Sequence, residues 1–445
     1  MKLNGLIVAA VILAALVGAL YWSNKHKLAE TTEASANTPP KILSLKEDDI
    51  SKVAIQKDGT TELALAKNSG KWQITAPQPL PADQTAVSPL VSTLSSLSSD
   101  RLVEEKAADL KPYGLAQPAL EVDVTEKDNK TQKLLFGDTT PTGNAVYTKL
   151  GDDPRIFTVA TFQKTGIDKT PNDLRDKRLL TVNSEKISRI ELIAKKQDIE
   201  FGRNKDEWQI VKPKPLRADG TQVEDLVRTL TDVKMDLSNP PDEKKLASAF
   251  ASATPVATAK VTDESGTQEL EVRKSKDDYY AKSSVVEGVY KVAPNVGTGL
   301  NKNLDDFRNK KLFDFGFTDP NKVEIHDGSK SYSLMRNGSD WWNASGGKLD
   351  VGTVATLLDK LRDLSSSKFV DSGFTTPTID ATVTSDNGKK VEKIVLAKSG
   401  DNYIAQRENE TALYQIDGKT VADLQKAAED LKPAAPPATP AKAGK

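Results

Sequence analysis

The chain repeats one phrase, and that repetition limits what it can fold into more than any other feature. "KWQITAPQPLPADQ" (Lys71 to Gln84) returns as "EWQIVKPKPLRADG" (Glu207 to Gly220), each with an early Trp and a late Asp. After Asp83 come Val87, Leu90, Val91, Leu94 and Leu97, and after Asp219 come Val223, Leu226, Val227, Leu230 and Val233. A fainter third copy, opening on Trp342, runs from Asp350 to Val354, Leu357, Leu358, Leu361 and Leu364. The spacing from Asp is the same in all three and puts every apolar side chain on one stripe of a helix with about 3.6 residues per turn. Each Asp stands where an N-cap belongs, and Gln222, three residues after Asp219, would complete a capping box in the second copy.

Upstream of each Trp the apolar period changes to two. Val53 and Ile55, Leu63 and Leu65, then Trp72 and Ile74 alternate in the first copy. Ile190 and Leu192, Ile199 and Phe201, then Trp208 and Ile210 follow suit, as do Val323 and Ile325, Tyr332 and Leu334, then Trp342. Short alternating runs separated by turn residues predict an antiparallel meander with one buried face, which the helix stripe would cover. A second strand set starts behind Pro118, Pro255 and Pro377. The first two copies close on "DLRDKRLL" and "DFRNKKLF", whereas the third ends in the helical pattern "TVADLQKAAEDLKP". The expected fold class is therefore α+β: three tandem repeats, over 41–180, 181–313 and 314–432, each an antiparallel sheet packed with a helix.

The N-terminus adds one transmembrane helix ahead of them. From Leu3 to Asn24 there is no charge, and Tyr21, Trp22, Lys25 and Lys27 follow as interfacial residues would. The apolar run exceeds that of a cleaved signal peptide, so 3–22 is read as an uncleaved anchor and 23–40 as its tether. A short tail before a large polar body favours tail inside and body outside. That places a single-pass protein in the inner membrane with an extracytoplasmic body, periplasmic in a Gram-negative host. The Pro/Ala-rich residues 433–445 are read as a disordered tail.

Composition removes several function classes. There is no cysteine and there are two histidines, which excludes thiolate chemistry, disulfides and lipobox acylation and leaves little for a His-based metal site or triad. With 62 Lys+Arg against 63 Asp+Glu, no clustered basic face argues for nucleic acid. No catalytic residue, cofactor or metal ligand is expected. The repeated Trp is read as core and the prolines as spacers that keep the crossover extended. The basic closers are read as cations favoured at a helix C-terminus. What remains for partner contact is what does not repeat: Lys212, Lys214 and Arg217 in the second crossover, and Trp341, expected on the sheet face opposite Trp342. The long hairpin from Gly137 to Tyr147 is a further recognition candidate.

The anchor, the W-Q-I phrase with its proline-broken loop and Ala-Asp, "YGLAQP" (Tyr113 to Pro118) and "LRDKRLL" (Leu174 to Leu180) together resemble the uncharacterised DUF4340 family of bacterial envelope proteins. That resemblance implies an accessory role beside ABC-transporter components and no assigned reaction. The leading expectation is thus a non-enzymatic membrane-anchored scaffold with a protein partner, an ABC-transporter component among the candidates. The alternatives are a glycan- or peptide-binding envelope module and, behind it, a carboxylate-based hydrolase.

Overall fold

Each of three antiparallel sheets is built from two meanders that share a central seam. In the computed structural model, Ile50–Lys57 pairs with Leu120–Glu126 through Val53↔Val124 and Ile55↔Val122. Arg189–Ala194 pairs with Thr254–Asp263 through Ile190↔Val261, and Lys322–Asp327 with Ile379–Ser385 through Val323↔Val383. The paired residues are the alternating aliphatics of the sequence, all buried, and each seam fixes the register of its sheet. The sheets carry nine, eight and eight strands among the described residues. The structure describes residues 40–435 apart from 206, 239–241 and 317–319. The expected anchor over 3–22, the tether up to residue 39 and the tail from 436 lie outside the described residues. Among those described, no helix is long and apolar enough to cross a membrane.

The helices α1 (Gln84–Ser95), α2 (Gly220–Thr231) and α3 (Val351–Arg362) connect the two meanders of each sheet and bury the expected stripes. Their N-caps are Asp83, Asp219 and Asp350, whose Oδ1 atoms accept from Thr85 at 2.9 Å, Thr221 at 3.0 Å and Thr353 at 2.9 Å. The capping box at Gln222 does not form, because its amide oxygen accepts from Lys302 Nζ and the Asp219 N–H already donates to the Phe307 carbonyl. A second helix packs on each stripe helix: Thr161–Ile167, Pro294–Leu300 and Gly418–Glu429. Four aliphatics at about 1.5–3 kcal/mol each give every stripe helix its reason to dock, since a twelve-residue helix alone is marginal in water.

The closing motifs work as handovers. In each repeat the returning chain pairs beside the cap: Asp83 N–H donates to Leu174 O, Asp219 N–H to Phe307 O and Asp350 N–H to Lys432 O, all at 2.8 Å. The chain then moves on to the following repeat. Leu179 N–H donates to Val233 O at 3.0 Å and Leu312 N–H to Leu364 O at 2.9 Å, as Ile42 N–H does to Leu97 O at 2.8 Å. The acceptors are the last stripe residues of the three copies. Leu179 and Leu180 lie in the core of the second sheet and Leu312 and Phe313 in that of the third. The described residues divide into two compact units between Lys177 and Arg178, the second carrying two sheets. The handover thus falls a few residues before the 180/181 and 313/314 boundaries read from the sequence. Pro433 and Ala434, expected in the tail, are paired instead, with Leu349 and with the Lys348 carbonyl at 2.9 Å.

Candidate functional site

The four residues singled out by their failure to repeat fall in four different settings. Lys212 lies 2.6 Å from the Glu200 carboxylate, whose hydrogen bond raises the Lys212 ammonium above its usual range. Lys214 is exposed and has no ion-pair partner among the described residues. Arg217 is turned toward the third sheet: its guanidinium donates two bonds of 3.0 Å to the Lys311 carbonyl and meets Asp314 at 2.7 Å and Glu410 at 3.7 Å. Trp341 is buried, 3% exposed, while Trp342 is half-buried. The expected assignment of these two is therefore reversed. Trp341 pairs with Arg336 as Trp208 does with Arg203 and Trp72 with Lys67, so it is the true counterpart of both. The third crossover is shorter by two residues, with nine from Trp341 to Asp350 against eleven from Trp72 to Asp83 and from Trp208 to Asp219.

Around Arg217 a charge network joins the second and third sheets. Arg407 meets Glu410 at 2.8 Å and Glu392 at 3.1 Å and donates to the Leu312 carbonyl. Glu392 in turn accepts from the Asp314 backbone N–H, and Tyr414 donates to Glu410 at 2.7 Å. Burial, reinforced by Glu410, pushes the Tyr414 phenol well up. Leu216, beside Arg217, packs against both cores. Every charge has an opposite neighbour, so the cluster holds two repeats together and offers no free group for chemistry.

Other motifs also resolve into packing. In "YGLAQP", Gly114 takes a left-handed conformation (φ +67°), Leu115 is buried, and a Cβ on Gly137 would lie 2.1 Å from the Tyr113 carbonyl. Gly297 of "GTG" sits under Tyr279, where a Cβ would come within 1.9 Å of the ring. The 137–147 hairpin is stitched by Thr140, Thr142 and Asn144 through side-chain bonds of 3.1 and 2.7 Å. Among the described residues no group of three or more His, Asp or Glu could hold a metal ion.

One place differs among the repeats by more than a surface charge. In the first two, the crossover returns as a two-residue strand, Leu80–Pro81 or Leu216–Arg217, with Leu80 opposite Ile74 and Leu216 opposite Ile210. The Ala76–Pro77 and Lys212–Pro213 peptide bonds of these arms are both cis. Beside them Leu174 and Phe307 plug the core, Phe307 stacking edge-on against Phe201 at 4.9 Å. The third repeat has Asn343 and Gly347 at the Ile and Leu positions, and exposed Lys432 at the plug position. Three large apolar side chains are thus absent from one spot, and an open groove of about 370 Å³ lies there. Tyr332, Leu334, Leu349, Leu431 and Pro433 supply its apolar wall, and Ala344 lies with the polar Asn343, Ser345 and Glu429 on its rim. The Asn343 side-chain oxygen Oδ1 holds the rim loop by accepting from Ser345 Oγ at 2.9 Å and Gly347 N–H at 2.8 Å. Lys330 and Glu429 form an ion pair beside it, which raises the Lys330 ammonium.

The different ending of the third copy, which lacks the closer that supplies Leu174 and Phe307 in the other two, was the sequence sign of this groove. Its wall was not legible, because Leu431 and Pro433 reach it only through the fold-back beside Asp350.

No curated protein matches the chain, and no solved structure does. Two successive segments, 72–209 and 208–386, match one family, and each begins at a repeat Trp, Trp72 or Trp208. The first segment runs from the Trp-bearing strand of the first repeat, through the handover, to that of the second, and the other runs from there past the third Trp-bearing strand to the end of Ile379–Ser385. With most of the chain so covered, this protein belongs to the family described as Domain of unknown function (DUF4340).

Proposed function

We propose that this protein is a non-enzymatic, membrane-anchored scaffold whose extracytoplasmic repeats engage a protein partner at the third-repeat groove. The observation that carries the reading is the groove itself: two sister repeats seal that place with apolar side chains, and the third leaves it open. Arrays of small packed units present surfaces for partners. The charged stretches that do not repeat are largely committed within the chain, Arg217 to Asp314 and Lys212 to Glu200. Anchoring rests on the uncharged run from Leu3 to Asn24. An ABC-transporter component is the first partner to look for.

Site-specific crosslinking in native membranes tests this. A photoreactive residue at Ala344, exposed on the groove rim, is expected to capture a defined protein that the same residue at Asp58 does not. Identical captures from both positions would sink the assignment. Because the chain has no cysteine, Ser69→Cys gives a single label site. A membrane-impermeant maleimide should label it in intact spheroplasts; labelling only after lysis would place the body on the other side.

A further inference from the structure

In the first two repeats an extended piece of the chain itself fills the place that the third leaves open. Both pieces read Leu-x-Ala-Asp, from Leu80 and from Leu216, and both pair with the Trp-bearing strand. The third version, Gly347-Lys348-Leu349-Asp350, keeps the backbone pairing through Trp342↔Lys348 but has no side chain where the leucine stands. Gly347 is not in the left-handed region, but a Cβ there would lie 3.2 Å from the Asn343 side-chain nitrogen, so a side chain at 347 goes with a change at 343. At about 370 Å³ the space lies near the lower end of the range for small-ligand sites, about 300–1,000 Å³. It suits one anchor side chain with its flanking backbone and is too small for a folded domain. Lys432 lies between the lining residues Leu431 and Pro433, is exposed, and has no ion-pair partner among the described residues. The site is therefore an apolar socket over Leu334, with the exposed Lys432 outside its lining on the segment that supplies Leu431 and Pro433.

Resting on the scaffold role above, we infer that the groove takes an extended peptide of a partner protein, one that presents a leucine-class side chain with a carboxylate close by in sequence. The leucine fills the space above Leu334 between Tyr332 and Leu431, and the carboxylate meets Lys432. Recognition of extended segments commonly divides in this way, with backbone for affinity and a side-chain pocket for selection.

The chain's own first arm is a ready probe. A fluorescent peptide PQPLPADQ, titrated onto the full-length protein in detergent micelles, should bind saturably by fluorescence polarisation. Replacing its Leu by Ser should weaken binding at least about tenfold, equivalent to about 1.4 kcal/mol. Ala344→Trp, on the exposed rim, should weaken it similarly, and so should Asn343→Ile with Gly347→Leu, which refills the groove as the sister repeats do. Lys432→Glu should weaken binding several-fold at low salt and less at high salt. Circular dichroism of each variant separates lost binding from lost folding. No saturable binding, equal binding of the Ser peptide, or indifference to both groove variants would overturn the inference. If the membrane crosslink at Ala344 captures a protein and the peptide does not bind, the leucine-and-carboxylate class is wrong and the scaffold reading stands. If the peptide binds and the crosslink captures nothing, the scaffold reading falls and the groove chemistry stands.

Discussion

Trp341 and Trp342 are neighbours in sequence with opposite fates: the first enters the core of the third sheet and the second lies half-buried on its other face. Trp341→Ala is expected to cost about 3–5 kcal/mol of stability, as loss of a buried Trp does, and Trp342→Ala distinctly less, read by urea unfolding. The opposite order would return the third strand to the register that its sequence suggested. Gly297→Ala places a methyl into the Tyr279 ring and should destabilise by about 1–3 kcal/mol in the same assay. Arg217 is 21% exposed, so its ion pairs are partly screened. Arg217→Ala should cost about 1–2 kcal/mol, less than breaking a fully buried pair. Residue-scale reading from sequence succeeded where period decides burial, as for Trp72 and Trp208. It failed where the partner is distant in the chain: Arg217 looked free because Asp314 and Glu410 are invisible from its own neighbourhood.

At the scale of elements, the stripe helices were the most legible part of the fold. Cap, spacing and stripe are local, and all three formed as the pattern required. Asp83→Ala or Asp219→Ala should each cost about 1 kcal/mol, the usual value of an N-cap carboxylate. The second helices were harder to find. Thr161–Ile167 and Pro294–Leu300 have only seven residues each, too few to establish a period, and they exist because the stripe helix offers them a surface. The closers were legible as a repeated motif, and their first cations, Arg175 and Arg308, stand at the C-caps of the short helices Pro171–Leu174 and Leu304–Phe307 as expected. Their first half latches one repeat beside its cap, and their second half supplies core leucines to the next. Leu179→Ala should therefore loosen the second sheet by about 2–5 kcal/mol and leave the first unaffected. Hydrogen exchange of peptides from 189–292 against 50–160 would check this, and equal protection loss in both would refute the handover.

For the molecule as a whole, pH separates the two units. In the first, burial alone would raise the Asp168 carboxyl, and hydrogen bonds from Lys164 and from Lys57 outweigh it, leaving the group below its usual range. A depressed folded-state value gives stability that is present above the unfolded value, about 3.9, and lost as pH falls through the folded one. Acid unfolding of the first unit should thus be shallower in Asp168→Asn. In the second unit the Tyr414 phenol is raised, mainly by burial. Its contribution is present below about pH 10, the unfolded value, and is lost as pH rises through the folded one. Tyr414→Phe should soften the alkaline limb of that unit, followed by circular dichroism; an unchanged limb would show that the phenol does not couple to unfolding.

The sequence alone determined the repeat, the alternation of strands, the three capped helices and the family, because each rests on interactions within a few residues or on a pattern repeated along the chain. Tertiary structure decided which Trp faces the core, where one repeat hands over to the next, and that Arg217 joins two sheets. It also decided that the third repeat is open. That groove exists because Asn343 and Gly347, neighbours in one loop, and Lys432, distant in sequence, stand where Ile, Leu and Phe meet in the repeat before it, and only folding brings Lys432 to the other two.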